Sequence, residues 1–350
     1  MKLAWVDRMH AADTSSAPTP IRNDAPAGTA PAGPPDEPIA FAPLMREIGR
    51  GKDGARSLDA PRMRALFGAV FSGRLAELEL GALLIALRMK GETVEEVEGA
   101  LQALDPHLRR VPVDPARPAV SIPSYNGARR SANLTALLAC LLADAGVQVV
   151  VHGVPSDPSR TTTAEVMQAM GLSVCAGPRD ARLAIARGDP AFVPVEVLSP
   201  PLAALLALRW RLGVRNIGHT LAKLLDPTDA PACLRIAAYT HPEFNALQHA
   251  LLERSGAAAL VLRGTEGEVV ASTRRAARLD WVHDGSSEPL VPAHEGPLRE
   301  VPDLPPAHDA FATALWIQSV LAGERPVPAA IAQQVDAVLR ALGAAPGVPA

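Results

Sequence analysis

The chain has 350 residues, enough for two domains or one large one, and 48% of them are hydrophobic against 20% charged, which excludes a wholly disordered chain. Aromatics make up only 3% while Pro (34) and Gly (26) are plentiful, so the core has to be built from Leu, Ala and Val. Lys and Arg number 34 against 37 Asp and Glu, a formal net charge of −3, so any site for a polyanion has to be a local patch.

In chain order, residues 1–38 are expected to form a disordered tail. From Ser15 to Pro38 they are mostly Pro, Ala, Thr and Gly, which cannot bury enough surface to offset the entropy of ordering. Lys2 is followed by Asp7 and Arg8 rather than an apolar run, so no signal peptide is expected. No apolar stretch is long enough to span a bilayer, and a cytoplasmic protein without a membrane partner is expected. Residues 39–110 read as a helical domain. Leu80, Leu83, Leu84 and Leu87 share one helical face, Pro61 after Asp59 marks a helix start, and Thr93 with Glu96 forms a capping box. Residues 118–345 alternate short apolar runs with Ala/Leu-rich stretches, which predicts an α/β domain with a largely parallel central sheet. The expected strands are 120–122, 147–151, 183–186, 235–237, 259–262, 269–271 and 279–282. The expected helices are 131–145, 161–171, 199–212, 242–256, 307–322 and 328–342. Cys140, Cys175 and Cys233 are odd in number and far apart, which favours small buried hydrophobes over disulfides or a metal site.

The octapeptide Ala86-Leu87-Arg88-Met89-Lys90-Gly91-Glu92-Thr93 resembles a signature in the small helical domain of anthranilate phosphoribosyltransferases. The segment Arg209–Ile217 and the triplet Leu225-Asp226-Pro227 continue the likeness in order and spacing, over roughly residues 41–345. The resemblance implies a phosphoribosyltransferase or nucleoside phosphorylase-like fold, a small mostly helical domain beside a large α/β domain, with the site in the cleft between. Helices from about 199–225 would pack on the 39–110 domain, and that domain would make a homodimer. A phosphoribosyl donor carries a diphosphate and needs magnesium, so its site requires bare backbone N–H groups and metal-holding carboxylates.

The residues aligned with that machinery depart from it. Pro123-Ser124-Tyr125-Asn126-Gly127 stands at the diphosphate loop, where Pro123 lacks an N–H and Tyr125 places a ring. Of a Lys-His-Gly-Asn-Arg group only His152 and Gly153 remain, and the Asp-Glu metal pair becomes Gly267-Glu268. Asn133, Thr135 and Arg209 match donor- or acceptor-binding positions. Tyr125, Asn126, Gly127, Asn133, Thr135, His152, Gly153 and Glu268 thus read as a vestigial site with no catalytic residue, no cofactor and no metal. The run Tyr125–Arg130 followed by Asn133-Leu134-Thr135 is similar to the YbiB-type branch of this superfamily, which the resemblance associates with nucleic acid rather than biosynthesis.

The charge pattern points the same way. From Val197 to Leu225 there are four basic residues, Arg209, Arg211, Arg215 and Lys223, and no acid. A continuous helix would set Arg211 and Arg215 on one face, with His219 beyond them. Arg129, Arg130 and Arg160 fall on segments that would border the same cleft. The expectation is a dimer that binds single- or double-stranded nucleic acid with little sequence preference, through phosphate contacts in a basic groove. Tyr125 and Trp210 are candidates for stacking on bases. The alternative is a phosphoribosyltransferase with an altered donor site and an unknown acceptor, which would need magnesium. A scaffold acting only through its helical face is a third possibility.

Overall fold

A computed structural model of the chain describes residues 40–51, 53–275, 278–292 and 302–344. The expected tail, residues 1–38, lies outside the described residues. Four helices open the described chain: α1 (Phe41–Ile48), α2 (Ala60–Phe71), α3 (Glu77–Lys90) and α4 (Val94–Leu104). Asp59 caps α2 by accepting from Arg62 N at 2.9 Å, with Pro61 in its first turn. The Thr93–Glu96 capping box opens α4. Glu96 is fully buried and also accepts from Leu58 N at 3.0 Å and Lys90 Nζ at 2.6 Å, so its charge is compensated.

The α/β part is built on strands β1 (Ala119–Ser124), β2 (Gln148–Gly153), β3 (Ala191–Pro194), β4 (Leu234–Tyr239), β5 (Ala259–Arg263), β6 (Leu279–His283) and β7 (Ser286–Val291). They form one sheet in the order β3-β2-β1-β4-β5-β6-β7. The first five are parallel and the last two pair antiparallel. Its middle strands are buried on both faces, as helical crossovers require. After α4 the helices are α5 (Thr135–Asp144), α6 (Thr163–Ala169), α7 (Pro178–Ala186), α8 (Val195–Leu198), α9 (Pro200–Ala207), α10 (Arg209–Leu212), α11 (Gly218–Leu224), α12 (Pro242–Arg254), α13 (Ala310–Leu321) and α14 (Ala329–Ala344). Leu202, Leu205, Ile217 and Leu221 share one apolar core with Phe67, Leu84 and Leu104, so α9 and α11 pack on the helical domain. No helix among the described residues is long and apolar enough to cross a membrane.

Two expected strands are not strands. Residues 183–186 complete α7, whose start is set by Gly177-Pro178. Residues 269–271 are a buried non-strand segment, in which Gln334 replaces a strand partner by accepting from Ala271 N at 2.8 Å and donating to Val269 O at 2.7 Å. The helix expected over 199–212 breaks between α9 and α10, and Gly213 ends α10 in a left-handed conformation, φ 73°.

Candidate functional site

Strand β1 sits between β2 and β4, so the chain leaves it in one direction and returns on its other side. Such a switch point opens a crevice beyond the carboxyl ends of the strands. Here it is a cleft of about 640 Å³ between the sheet and the helical domain. The loop after β1, the turn after β4 and the hairpin after β5 line it together with α3, α11 and α12.

Six cationic side chains line this cleft: Arg88, Arg129, Arg130, Arg160, Arg215 and Lys223. Among the described residues the acids lining it are Glu92 and Glu266. Arg129 and Arg130 are exposed, and Arg160 leans on the loop, donating to Gly127 O at 3.2 Å. Arg215 is partly buried, which lowers its pKa, and Arg209 and Arg160 lower it further. Lys223 donates to Gly267 O at 3.2 Å. Burial pulls its ammonium down to about 8, against the attraction of Glu268. His219 is pushed down to about 3, by burial first and then by Arg215, so it is neutral at pH 7.

The expected helical face shared by Arg211, Arg215 and His219 does not exist. Gly213 turns the chain, and Arg215 lies in the segment between α10 and α11. Arg211 points elsewhere and makes a two-pronged pair with Glu77, at 3.1 and 3.0 Å, with both side chains exposed. Arg209 is paired with the buried Asp157 at 3.1 Å and lies 4.1 Å over the ring of Trp210. Neither lines the cleft. Arg88 lines the cleft from inside the quoted octapeptide, and Asp157 and Glu266 meet partners distant in the chain, so no local pattern marks these three residues as part of the site.

Tyr125 is 2% exposed and belongs to the core shared with the helical domain, so it cannot stack on a base. Its hydroxyl meets His152 Nδ1 at 2.9 Å. His152 is fully buried and held down to about 3 by that burial, hence a neutral ring. Trp210 is 59% exposed but outside the cleft. Gly153 pairs with Ser124 in the sheet, and a Cβ there would lie 1.8 Å from Ser124 O, which accounts for the glycine without any ligand. Asn133 is an internal strut. Its amide donates to Thr161 O and Thr163 Oγ1, both at 3.1 Å, and its oxygen accepts from Thr135 N at 3.2 Å.

The loop that aligns with a diphosphate site is filled. Glu268 Oε1 accepts from Asn126 N at 2.8 Å and Gly127 N at 2.7 Å. Glu266 accepts from Arg129 N at 3.1 Å, Arg130 N at 2.8 Å and Ser131 N at 2.9 Å. The residues do not fit a magnesium ion. Glu268 is turned to backbone donors, and a Cβ at Gly267 would lie 1.6 Å from Asn126 Nδ2. A carboxylate at position 267 therefore has no room while the Asn126 side chain is in place, and Glu266 is engaged by backbone donors.

Residues 42–107 match the glycosyl transferase family, helical bundle domain, and residues 119–325 match the glycosyl transferase family, a/b domain. The chain belongs to this glycosyl transferase family. Within it the chain falls in the YbiB-type branch of the anthranilate phosphoribosyltransferase superfamily. It is 39% identical over 306 residues to the uncharacterized protein YbiB of Escherichia coli (strain K12), covering 87% of this chain and 95% of that protein. The anthranilate phosphoribosyltransferase of Persephonella marina is 33% identical, over 53% of this chain and 54% of its own. Among solved structures, anthranilate phosphoribosyltransferase from Thermus thermophilus superposes with a TM-score of 0.66 at 27% identity, covering 83% of this chain and 88% of that one.

Proposed function

We propose that the protein binds single- or double-stranded nucleic acid through phosphate contacts, with little sequence preference, and does not transfer a phosphoribosyl group. The observation that carries this reading is the gathering of Arg88, Arg129, Arg130, Arg160, Arg215 and Lys223 around one cleft at the sheet's switch point. Six long cations against two acids, Glu92 and Glu266, leave the cleft lining with an excess of positive charge, which favours backbone phosphates, and phosphate contacts hold nucleic acid without reading its bases. The transferase alternative finds less support, because the backbone donors that would take a diphosphate already hold Glu266 and Glu268. The same reading takes the protein as a homodimer through α3. Leu78, Ile85 and Met89 lie on the side of that helix away from buried Leu83, Leu84 and Leu87, and Leu78 and Met89 are 85% and 80% exposed.

Titration of labelled DNA and RNA oligonucleotides of unrelated sequence, at several salt concentrations, tests this. Replacing Arg129, Arg130, Arg160 and Arg215 by Ala should weaken all of them alike. It should also flatten the slope of log K against log salt by roughly 3, from about 0.7 to 0.9 per lost contact. Arg211→Ala should leave the slope unchanged, because its guanidinium serves Glu77 outside the cleft. An unchanged slope in the quadruple variant, or no wild-type binding at low salt, overturns the reading. Turnover of anthranilate with a phosphoribosyl donor would put the transferase in its place.

A further inference from the structure

The chain has four lysines, Lys2, Lys52, Lys90 and Lys223, among 34 Lys and Arg. Lys90 is tied to the buried Glu96 at 2.6 Å. Among the described residues Lys223 is the lysine that lines the cleft, where the other five cations are arginines. A guanidinium keeps its proton at any ordinary pH, whereas a desolvated ammonium gives its proton up and becomes a nucleophile. The surroundings of Lys223 favour that loss. It stands on α11 between Leu221-Ala222 and Leu224-Leu225, all four buried in the core shared with the helical domain. Its Nζ donates to a backbone carbonyl, Gly267 O, at 3.2 Å. Glu268, the acid that attracts it, has Oε1 turned to Asn126 N and Gly127 N, while Arg215 and Arg160 repel its charge. With the ammonium pulled down to about 8, about half of Lys223 is free amine at pH 8, against roughly 0.3% for a lysine at the ordinary 10.5. The rest of the cleft suits a phosphate-bearing carbon skeleton. Arg88, Arg160 and Arg215 supply positive charge, and Tyr239, Phe244 and Leu247 supply an apolar wall, around about 640 Å³.

We propose that Lys223 is a carbonyl-capturing amine, which takes phosphate-bearing aldehydes into the cleft and holds them covalently as an imine. The Nζ lone pair forms a bond to the carbonyl carbon while the C=O π pair moves to oxygen. The carbinolamine so formed then closes to C=N. Both protons of the amine leave with the carbonyl oxygen as one water, and nothing is oxidised or reduced. Two sources share this chemistry: a free phosphorylated aldehyde, and the ring-opened sugar of an abasic site in a nucleic-acid strand. The second rests on the nucleic-acid reading and the first does not.

Pyridoxal 5′-phosphate is the free probe, used at pH 8 with sodium cyanoborohydride, which reduces an imine to a stable amine that peptide mass mapping can place. In the wild-type protein Lys223 should carry at least tenfold more label than Lys2, Lys52 or Lys90. Salicylaldehyde, a hydroxyaryl aldehyde without the phosphate, should label it at least tenfold less. Lys223→Arg, which keeps the charge, should lose the imine absorbance seen in wild type before reduction. The mapping in wild type stands whether or not that variant folds. The strand probe is an oligonucleotide with one abasic deoxyribose, beside the same oligonucleotide intact. Cyanoborohydride should cross-link the first to Lys223 and leave the second free. If the free probe labels Lys223 and the abasic strand does not, the proposal holds with the free aldehyde as its source. Binding of the intact strand, measured alongside, then separates that result from a failure of the nucleic-acid reading. No adduct on Lys223 from either probe, or label spread evenly over the four lysines, overturns the proposal. Equal labelling of Lys223 by salicylaldehyde and pyridoxal 5′-phosphate overturns it as well, because the cationic cleft then selects nothing.

Discussion

Burial lowers the Lys223 ammonium to about 8, with Arg215 and Arg160 pushing the same way and Glu268 opposing them. Two pH dependences of opposite sense follow. Raising the pH from 7 to 9 removes a positive charge from the cleft, so nucleic-acid affinity should fall and the salt slope should drop by about 0.7 to 0.9. Folding stability should instead rise between pH 8 and the unfolded value of 10.5, where the unfolded chain binds the proton that the folded one has released. Lys223→Arg keeps its charge throughout and should abolish the affinity step. An equal fall in that variant would place the titrating group elsewhere. None of this was legible in the sequence, where Lys223 reads as one more exposed cation. The signal was its place in an apolar stretch, between Leu221-Ala222 and Leu224-Leu225.

Helix α3 has two apolar sides, one buried against the helical core and one exposed through Leu78, Ile85 and Met89. The residue pattern Leu80, Leu83, Leu84 and Leu87 revealed the first side because it repeats at helical spacing. The second was hidden because apolar residues on both sides blur the period. Leu78→Asp with Met89→Asp should leave the fold intact and make the protein monomeric at micromolar concentration in sedimentation. Each exposed side chain, once covered in a dimer, contributes about 1.5 to 3 kcal/mol. A wild-type monomer at that concentration would remove the basis for the interface. Strands were less legible than helices. Pro190 and Pro194 flank or end β3, and Pro289 lies inside β7, positions tolerated because both are sheet edges. Residues 183–186 read as a strand because four apolar-rich residues fit either period, and the Gly-Pro start five residues earlier is what decides for helix.

For the whole molecule, the buried neutral histidines set the acid limit. His152 and His219 are both held down to about 3 against an ordinary value of 6.5. The unfolded chain gains these protons first, so their contribution is complete above about pH 6.5 and is lost as the pH falls toward 3. At pH 5 each should have lost about 2 kcal/mol, from 1.5 pH units at 1.36 kcal/mol per unit. Denaturant titrations at pH 7 and 5 should show that loss, and His219→Gln should remove its share of the difference. An unchanged midpoint would mean these rings protonate in the folded protein. The two-part architecture was legible because helical and alternating segments follow each other in separate blocks. The filled loop was not, since Glu268 and Glu266 meet donors 142 to 135 residues away.

The crowding between Gly267 and Asn126 fixes the order in which this chain could be re-engineered toward a metal-bearing relative. An aspartate installed at 267 while Asn126 is in place collides with the amide at 1.6 Å and also meets a φ of 90° that only glycine takes easily. Gly267→Asp alone should therefore destabilise the protein by about 2 to 4 kcal/mol, measured by denaturant midpoint. Asn126→Gly made first should relieve the collision and leave the backbone strain. The double variant should then be more stable than the sum of the two single effects, by about 1 kcal/mol or more. The two positions are thus epistatic, and the route from this chain to a two-carboxylate site is passable in one direction only, through residue 126 before residue 267. Strict additivity in the double-mutant cycle would reopen both routes.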